Sequence, residues 1–186
     1  MAGRVQDGDG RPDEPDAVSD PRPGAIRAAE PADLGHILRL IRALAEYERL
    51  LDQVRITEAD LARALFAPAP RAHALLAWAE DRPVGFALWY YTFSTFAGGP
   101  DLFLEDIFVD PSHRGAGLGL GLFRRLAAIA RAEKCRRMEW RVLNWNEPSI
   151  RFYDRLGAKP MRDWTVMQLD GPALAALAAG EGHFHG

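Results

Sequence analysis

The middle of the chain joins an apolar run to a glycine-rich turn and then to a helical pattern. Residues 101–119 read DLFLEDIFVDPSHRGAGLG. The first ten residues, rich in Leu, Phe, Ile and Val, predict a β-strand. The glycines that follow predict a tight turn with several backbone N–H groups pointing the same way, at the start of a helix. That helix has a buried stripe at Leu118, Leu122, Leu126 and Ile129. The arrangement predicts an anion site.

Two common nucleotide-binding loops do not fit this turn. The Walker lysine and Ser/Thr are absent, because Leu120 and Gly121 follow Gly119. A Rossmann loop normally follows the first strand, and here three predicted strands precede it. Arg114 adds a positive charge suited to phosphate. The turn therefore predicts a phosphate-bearing ligand of another kind, and packing alone is the structural alternative.

Two acids lie side by side within the apolar run, Glu105 and Asp106. Strict alternation along a strand puts neighbouring side chains on opposite faces, unless a β-bulge intervenes. A buried carboxylate needs a partner or a function. A salt bridge, for example with Arg141, is the alternative to a functional role.

A second segment combines a helix start with a candidate functional tyrosine. Residues 144–153 read NWNEPSIRFY. Asn146 can cap a helix that Pro148 helps to begin. Positions 146, 150, 153 and 157 share one face of that helix. Tyr153 is then either functional or a core tyrosine with its hydroxyl satisfied.

The flanking sequence predicts the rest of an α/β (α+β) domain. A short strand at Ile26 precedes a helix opened by residues 31–33, and Thr57 with Asp60 resembles a capping box for a second helix. Further strands are predicted at 72–80, 84–92, 136–143 and 163–169, with a loop at 93–100. Further helices are predicted from the glycine turn to about 134, at 147–156 and at 173–179. The order β-α-α-β-β-β-α-β-α-β predicts a mixed sheet with helices on both faces.

Charge is distributed unevenly along the 186 residues. Residues 1–24 hold three Arg and six acids, and they predict a disordered acidic tail. Because the whole chain has 23 basic and 26 acidic residues, the remainder holds 20 of each. This balance provides no general field to attract nucleic acid or an anionic membrane. We expect one folded domain at 25–179 and a flexible tail at 180–186.

Composition excludes a chain that is disordered throughout, a collagen and a coiled coil. Hydrophobic residues make up 48% and charged residues 26%, which is ordinary for a globular protein. No run of 18 apolar residues predicts a membrane span. Cys135 is the only cysteine, and the five histidines show no metal-ligand spacing. We therefore expect a cytoplasmic protein without a metal.

The segments above, in this order, resemble the GNAT acetyltransferase superfamily. Arg114–Gly119 matches its pyrophosphate loop. Within that superfamily the chain resembles the diamine (spermidine/spermine) N-acetyltransferases and the thialysine acetyltransferases. The resemblance covers about residues 25–170, and it rests on ILRLI (37–41), AEYE (45–48), VGFA (84–87), LED (104–106), RG (114–115) and WNEPSIRFY (145–153). It implies a mostly antiparallel sheet with a central V-shaped splay, and a homodimer.

The resemblance also implies a role for each matching residue. Tyr153 would be the general acid and Glu105 the base. Acetyl-CoA would pair through its pantetheine with Ile107, Phe108 and Val109, and its other contacts would be Arg114, Gly115, Ala116, Gly117, Leu118, Gly119, Leu120, Asn146 and Ser149. The amine acceptor would be bound by Tyr47, Glu48 and Asp106, with Trp164 nearby.

These residue types suit acetyl transfer to an amine. A primary amine with a pKa near 10.4 is neutral in about one molecule in a few thousand at pH 7, and only the neutral form attacks a thioester. A carboxylate that removes the proton is therefore useful. A phenol with a pKa near 10 still carries the proton that the departing thiolate takes up.

The acceptor itself stays open at this stage. Diamine acetyltransferases generally carry an acid in the loop before the strand at 101–110, and residues 93–100 here carry no charge. A small diamine, lysine or thialysine is then as good an expectation as a long polyamine. The alternatives are a non-catalytic acyl-CoA-binding module and a protein lysine or N-terminal acetyltransferase.

Overall fold

Five strands form one mixed sheet within residues 25–181, the part of the chain that the computed structural model describes. In chain order they are β1 (Ile26–Ala28), β2 (His73–Ala79), β3 (Arg82–Ser94), β4 (Gly99–Val109) and β5 (Met138–Trp140). Their spatial order is also β1-β2-β3-β4-β5. The first four strands are antiparallel, and β5 is parallel to β4. The predicted fold class, a mixed and mostly antiparallel sheet, is confirmed.

The helices lie close to their predicted positions. They are α1 (Leu34–Glu48), α2 (Glu58–Phe66), α3 (Leu118–Ala132), α4 (Glu147–Arg155) and α5 (Gly171–Ala178). The capping box is confirmed at α2, because Thr57 and Asp60 exchange hydrogen bonds between side chain and backbone N–H. The chain divides into two compact units, Met1–Arg141 and Val142–Gly186. The sheet and α1–α3 belong to the first unit, and α4 and α5 belong to the second.

The sheet buries a different set of side chains on each face. On one face, α1 and α2 cover Ala74, Leu76, Phe86 and Phe108 with Ile37, Leu40 and Leu61. On the other face, α3 contributes Leu122 and Leu126, which are fully buried. Alternation along the strands separates the two sets. Residues of β4 therefore reach either the α1 side or the α3 side according to their position in the strand.

Two neighbouring strands part in the middle of β4. The parallel pairing joins Leu102, Phe103 and Leu104 to the three residues of β5 and ends there. β4 continues to Val109. Within the described residues of the first unit, no strand lies beside that last stretch on the β5 side. This parting is the V-shaped splay that the sequence resemblance implied.

Three predicted elements differ from the observed ones. The strand predicted at 136–143 contains only Met138–Trp140, because pairing with β4 ends at Trp140. The loop predicted at 93–100 shortens to four residues, because β3 extends to Ser94 and β4 begins at Gly99.

The strand predicted at 163–169 is wrong. Trp164 and Val166, which a strand would place on one face, are 71% and 65% exposed. Within the described residues of the second unit no strand is present to pair with this segment, and an unpaired strand leaves its backbone hydrogen bonds unmade.

The boundaries predicted for the domain and its tails stay predictions, since residues 1–24 and 182–186 lie outside the described residues. None of the described helices has the length and apolar character needed to cross a bilayer.

Candidate active site

A β-bulge in β4 sets the geometry of the two adjacent acids. Leu88 of β3 is opposite Asp106, and the next residue, Trp89, is opposite Leu104. Glu105 is thus an extra residue without a partner across the ladder. In a bulge two residues oppose one, so simple alternation no longer separates their side chains. The bulge that the sequence left as an alternative is confirmed.

Asp106 lies on the face of the sheet that α1 covers. It is two residues from Phe108, which packs in the core with α1 and α2. Burial, together with the negative charges of Glu105 and Glu48, raises the pKa of Asp106 from 3.8 to about 7. Burial also raises the pKa of Glu48, near the end of α1. Three carboxyl groups thus share one region of the first unit, and a cation placed among them would favour their ionised forms.

Tyr47 and Arg114 meet on the same side of the sheet. The Arg114 guanidinium lies 4.8 Å from the centre of the Tyr47 ring and 5.8 Å from that of Phe108. Its Nε donates a hydrogen bond to the Val109 carbonyl at 3.0 Å. The ring of the predicted acceptor residue Tyr47 is thus in contact with the Arg114 cation. Pyrophosphate binding by the Arg114 side chain stays a prediction.

The glycine turn has the shape of an anion site. Gly115 and Gly117 have φ values of 85° and 83°, a backbone conformation that residues other than glycine rarely adopt. An added Cβ at Gly115, Gly117 or Gly119 would meet no atom within 4 Å, so one side of the turn is open. No side chain caps α3, whereas Thr57 caps α2 and Asn146 caps α4. The first N–H groups of α3, from Leu118 to Leu120, are therefore available to an anion.

The free edge of β4 fits an extended ligand backbone. Ile107, Phe108 and Val109 are paired with β3 on one side, opposite Ala87, Phe86 and Gly85. On the other side they lie beyond the end of the β4–β5 pairing. An extended chain with amide groups can hydrogen-bond to such an edge as an added strand would. The edge and the glycine turn follow each other in sequence, and their contacts with the pantetheine and pyrophosphate of acetyl-CoA stay predictions.

The remaining predicted residues belong to the second unit. The Asn146 side chain accepts a hydrogen bond from the Ser149 N–H at 3.4 Å and caps α4, as predicted. Tyr153 lies two turns further along α4, where its ring is 5.7 Å from that of Phe152. Trp164 lies beyond α4 and is largely exposed. The roles of these residues toward acetyl-CoA and the acceptor stay predictions.

Sequence reasoning missed one residue beside the acids. Burial and the negative charge of nearby Glu105 raise the pKa of the Tyr90 hydroxyl, so Tyr90 belongs to the surroundings of the acids. The alternation of β3 puts Tyr90 on the same face as Leu88, which was readable from the sequence. The bulge that brings Glu105 toward that face was not.

Comparison with known proteins agrees with this geometry. The model of the acetyltransferase (GNAT) family matches residues 38–158. A thialysine N-epsilon-acetyltransferase of Bos taurus is 38% identical over 164 residues, covering 82% of this chain and 96% of the relative. A spermidine/spermine N(1)-acetyltransferase-like protein 1 of Homo sapiens is 39% identical over 163 residues, covering 82% of this chain and 23% of the relative. The structure of an integron cassette protein from V. cholerae has a TM-score of 0.71 at 26% identity, covering 84% of this chain and 98% of that one.

Three features together are typical of a transferase that uses an acyl-CoA. They are the parted sheet, the glycine turn at the start of α3 and the acids on the adjoining strand. The chain belongs to the GNAT acetyltransferase family. It is an acetyl-CoA-dependent N-acetyltransferase that transfers acetyl groups to amines. The alternative of a non-catalytic acyl-CoA-binding module is therefore set aside.

Replacing the buried acid should change how stability depends on pH. Folding raises the pKa of Asp106 to about 7, so between about pH 4 and 7 the folded state holds a proton that the unfolded state releases. Stability from this group therefore falls as pH rises through that window. Asp106→Asn removes this loss. From pH 5 to pH 8, we expect the free energy of unfolding of the variant to rise by about 1–3 kcal/mol relative to that of the parent. Urea unfolding at both pH values measures the change.

The control for this experiment is Asp81→Asn, which changes an exposed acid at the turn between β2 and β3. It should leave the pH dependence as it is in the parent. The same dependence in Asp106→Asn and the parent would show that Asp106 is not a buried group of raised pKa.

Proposed function

We propose that the acceptor is a primary amine of a small diamine or of a thialysine-like diamino acid. The observation that carries this proposal is the group of three carboxyls, Glu48, Glu105 and Asp106, on one side of the sheet. A carboxylate that removes the proton from the reacting amine would be Glu105. Burial raises the pKa of both Asp106 and Glu48, and the charges of Glu105 and Glu48 add to the effect at Asp106, so a bound ammonium group would stabilise the ionised forms of these acids. They can therefore anchor a second ammonium group of the same acceptor.

The connection between β3 and β4 offers no free carboxylate to an acceptor, and this limits the length of the acceptor. Residues 95–98 carry no charge. Asp101, the first acid after them, is buried, and its carboxylate accepts a hydrogen bond from Nε of Arg137 at 2.9 Å. It is thus committed to an internal ion pair. A long polyamine would find no free carboxylate here for a distant ammonium group, which supports a short acceptor. The name of the bovine relative, a thialysine acetyltransferase, supports the same choice.

The catalytic step needs one base and one acid. Glu105 takes a proton from the acceptor ammonium, and the neutral nitrogen then attacks the thioester carbonyl carbon. Backbone N–H groups of β4 can donate to the carbonyl oxygen as it gains negative charge. The C–N bond forms, the C–S bond breaks, and Tyr153 gives its proton to the departing thiolate. The products are the N-acetyl amine and free coenzyme A.

The cofactor side of the proposal rests on β4 and the glycine turn. Ile107 to Val109 pair with the pantetheine, and the turn from Arg114 to Leu120 binds the pyrophosphate. For Asn146 and Ser149, at the start of α4, a role toward acetyl-CoA is proposed from the family resemblance alone. We further propose a cytoplasmic homodimer, as in the diamine acetyltransferases that the sequence resembles.

A panel of acceptors tests the choice of substrate. Thiol release from acetyl-CoA is measured with thialysine, lysine, ornithine, a three-carbon diamine, spermidine and spermine. We expect kcat/KM to be about tenfold or more higher for the short acceptors than for spermine, since one misplaced charged contact costs about that factor. A preference for spermine, or reaction only with a protein N-terminus, would contradict the proposal.

The role of Tyr153 is tested by removing only its hydroxyl. Tyr153→Phe keeps the ring, so we expect the protein to fold and acetyl-CoA affinity to change little. A positioned proton donor contributes about 10²–10⁴-fold, and a thiolate leaves readily, so we expect a loss in kcat near the lower end of that range. Turnover and melting temperature are measured together. A folded variant with unchanged turnover would show that Tyr153 is not the acid.

A further inference from the structure

We infer that Arg39 is a positioning residue for the anion site: from α1 it holds Asp110, and through Asp110 it sets the direction in which the chain enters the glycine turn. The inference rests on the binding of the pyrophosphate by that turn, which is proposed above. It adds a side chain of α1 to a site otherwise assigned to β4 and the start of α3, and it gives this side chain no contact with the ligand.

The Arg39 guanidinium reaches two strands of the sheet at once. One terminal nitrogen, Nη2, donates a hydrogen bond to the Pro83 carbonyl at 2.6 Å, near the start of β3. The other, Nη1, lies 3.9 Å from Oδ2 of Asp110, the residue that follows β4. Arginine suits such a position because its planar fork presents several donors in fixed directions. Arg39 therefore joins α1 to the beginning of β3 and to the end of β4.

Asp110 is the residue at which the strand becomes the turn. Its backbone N–H donates to the Val84 carbonyl at 2.8 Å, and its carbonyl accepts from the His113 N–H at 2.8 Å. Its side chain is only 17% exposed. These backbone hydrogen bonds leave the side chain free to rotate. The attraction to Arg39 is thus a third restraint on the same residue, and it acts on the side chain.

The glycine turn makes few contacts that could hold its shape. Residues 115–117 are exposed, and an added Cβ at Gly115 or Gly117 would meet no atom within 4 Å. The next buried residue is Leu118, where α3 begins. The direction of the backbone N–H groups in this turn therefore depends on how its two ends are held. An anion binds more tightly to N–H groups that already converge, because less order has to be created on binding.

A positive charge on α1 would also attract an anion directly, and this second role predicts the opposite effect for one substitution. If Arg39 acts only through its charge, removing the negative charge of Asp110 should strengthen anion binding. If Arg39 acts through Asp110, the same change releases the restraint and should weaken anion binding. The sign of the effect of Asp110→Asn therefore separates the two roles.

The first test compares two thioesters, acetyl-CoA and S-acetyl-pantetheine, which lacks the pyrophosphate. We expect Arg39→Gln to lower kcat/KM for acetyl-CoA by about three- to tenfold, the effect of one lost charged contact. The value for S-acetyl-pantetheine should stay within about twofold of that of the parent, because this thioester does not use the turn. Arg42→Gln is the matched control, since it removes the same charge from an exposed position on the same helix and should leave both values unchanged.

The preference of the parent for acetyl-CoA separates a failure of the inference from a failure of the proposed function. An equal loss with both thioesters in Arg39→Gln, an unchanged preference for acetyl-CoA, or the same loss in Arg42→Gln overturns the inference alone. A parent that uses both thioesters with the same kcat/KM would show that the turn does not bind the pyrophosphate. That result overturns the proposed contact and the inference with it.

The second test measures the effect of removing the charge of Asp110 while keeping the size of its side chain. We expect Asp110→Asn to lower kcat/KM for acetyl-CoA by about the same factor as Arg39→Gln. The double variant should lose no more than the more affected single variant, because both substitutions release one restraint. Melting temperatures show that each variant is folded. An unchanged or higher kcat/KM in Asp110→Asn, or effects that multiply in the double variant, overturns the inference.

Discussion

One extra residue in β4 is the constraint on which the site depends. The pairing of β4 with β5 ends at Leu104, and the bulge against β3 begins at the next residue, Glu105. A bulge bends its strand and increases the local twist. The point where β4 leaves β5 is therefore also the point where the two acids leave strict alternation. A single local feature gives the sheet its open edge and brings Glu105 and Asp106 toward one region of the first unit.

The acids in this region are held at a cost in stability. Water is removed from Asp106, and two other carboxyls face it, so its ionised form is disfavoured at neutral pH. A purely structural role would be served better by a neutral or paired side chain, as Asp101 shows through its ion pair with Arg137. The unpaired acids have a purpose when a cation is the ligand. In this way the electrostatics of the site and the amine chemistry of the family support the same acceptor.

Local signals in the sequence predicted most of the fold. The capping box at Thr57, the strands β2 and β3, and the glycine turn before α3 each depend on a few neighbouring residues, so they were readable. The bulge was only an alternative, since periodicity does not reveal which of two adjacent residues lacks a partner. The strand predicted at 163–169 failed because a strand needs a neighbour that its own sequence does not specify. Tyr90 was missed for the same reason, because its nearness to Glu105 depends on the register of β3 against β4.

The roles of Tyr153, Asn146 and Ser149 came from family resemblance, because no property of an isolated helix distinguishes a catalytic tyrosine from a packed one. The roles of the β4 residues have a second, independent basis in the free strand edge and the uncapped start of α3. The free edge of β4 is therefore the part of the site that an experiment can test independently of the family resemblance.

Amide hydrogen exchange with and without acetyl-CoA is the most direct test of whether this edge binds the ligand. If acetyl-CoA pairs with the open edge of β4, the N–H groups of residues 107–109 that point away from β3 should exchange at least about tenfold more slowly in its presence, together with those of residues 118–120. Protection that appears elsewhere in the protein while these amides keep their ligand-free rates would contradict the account.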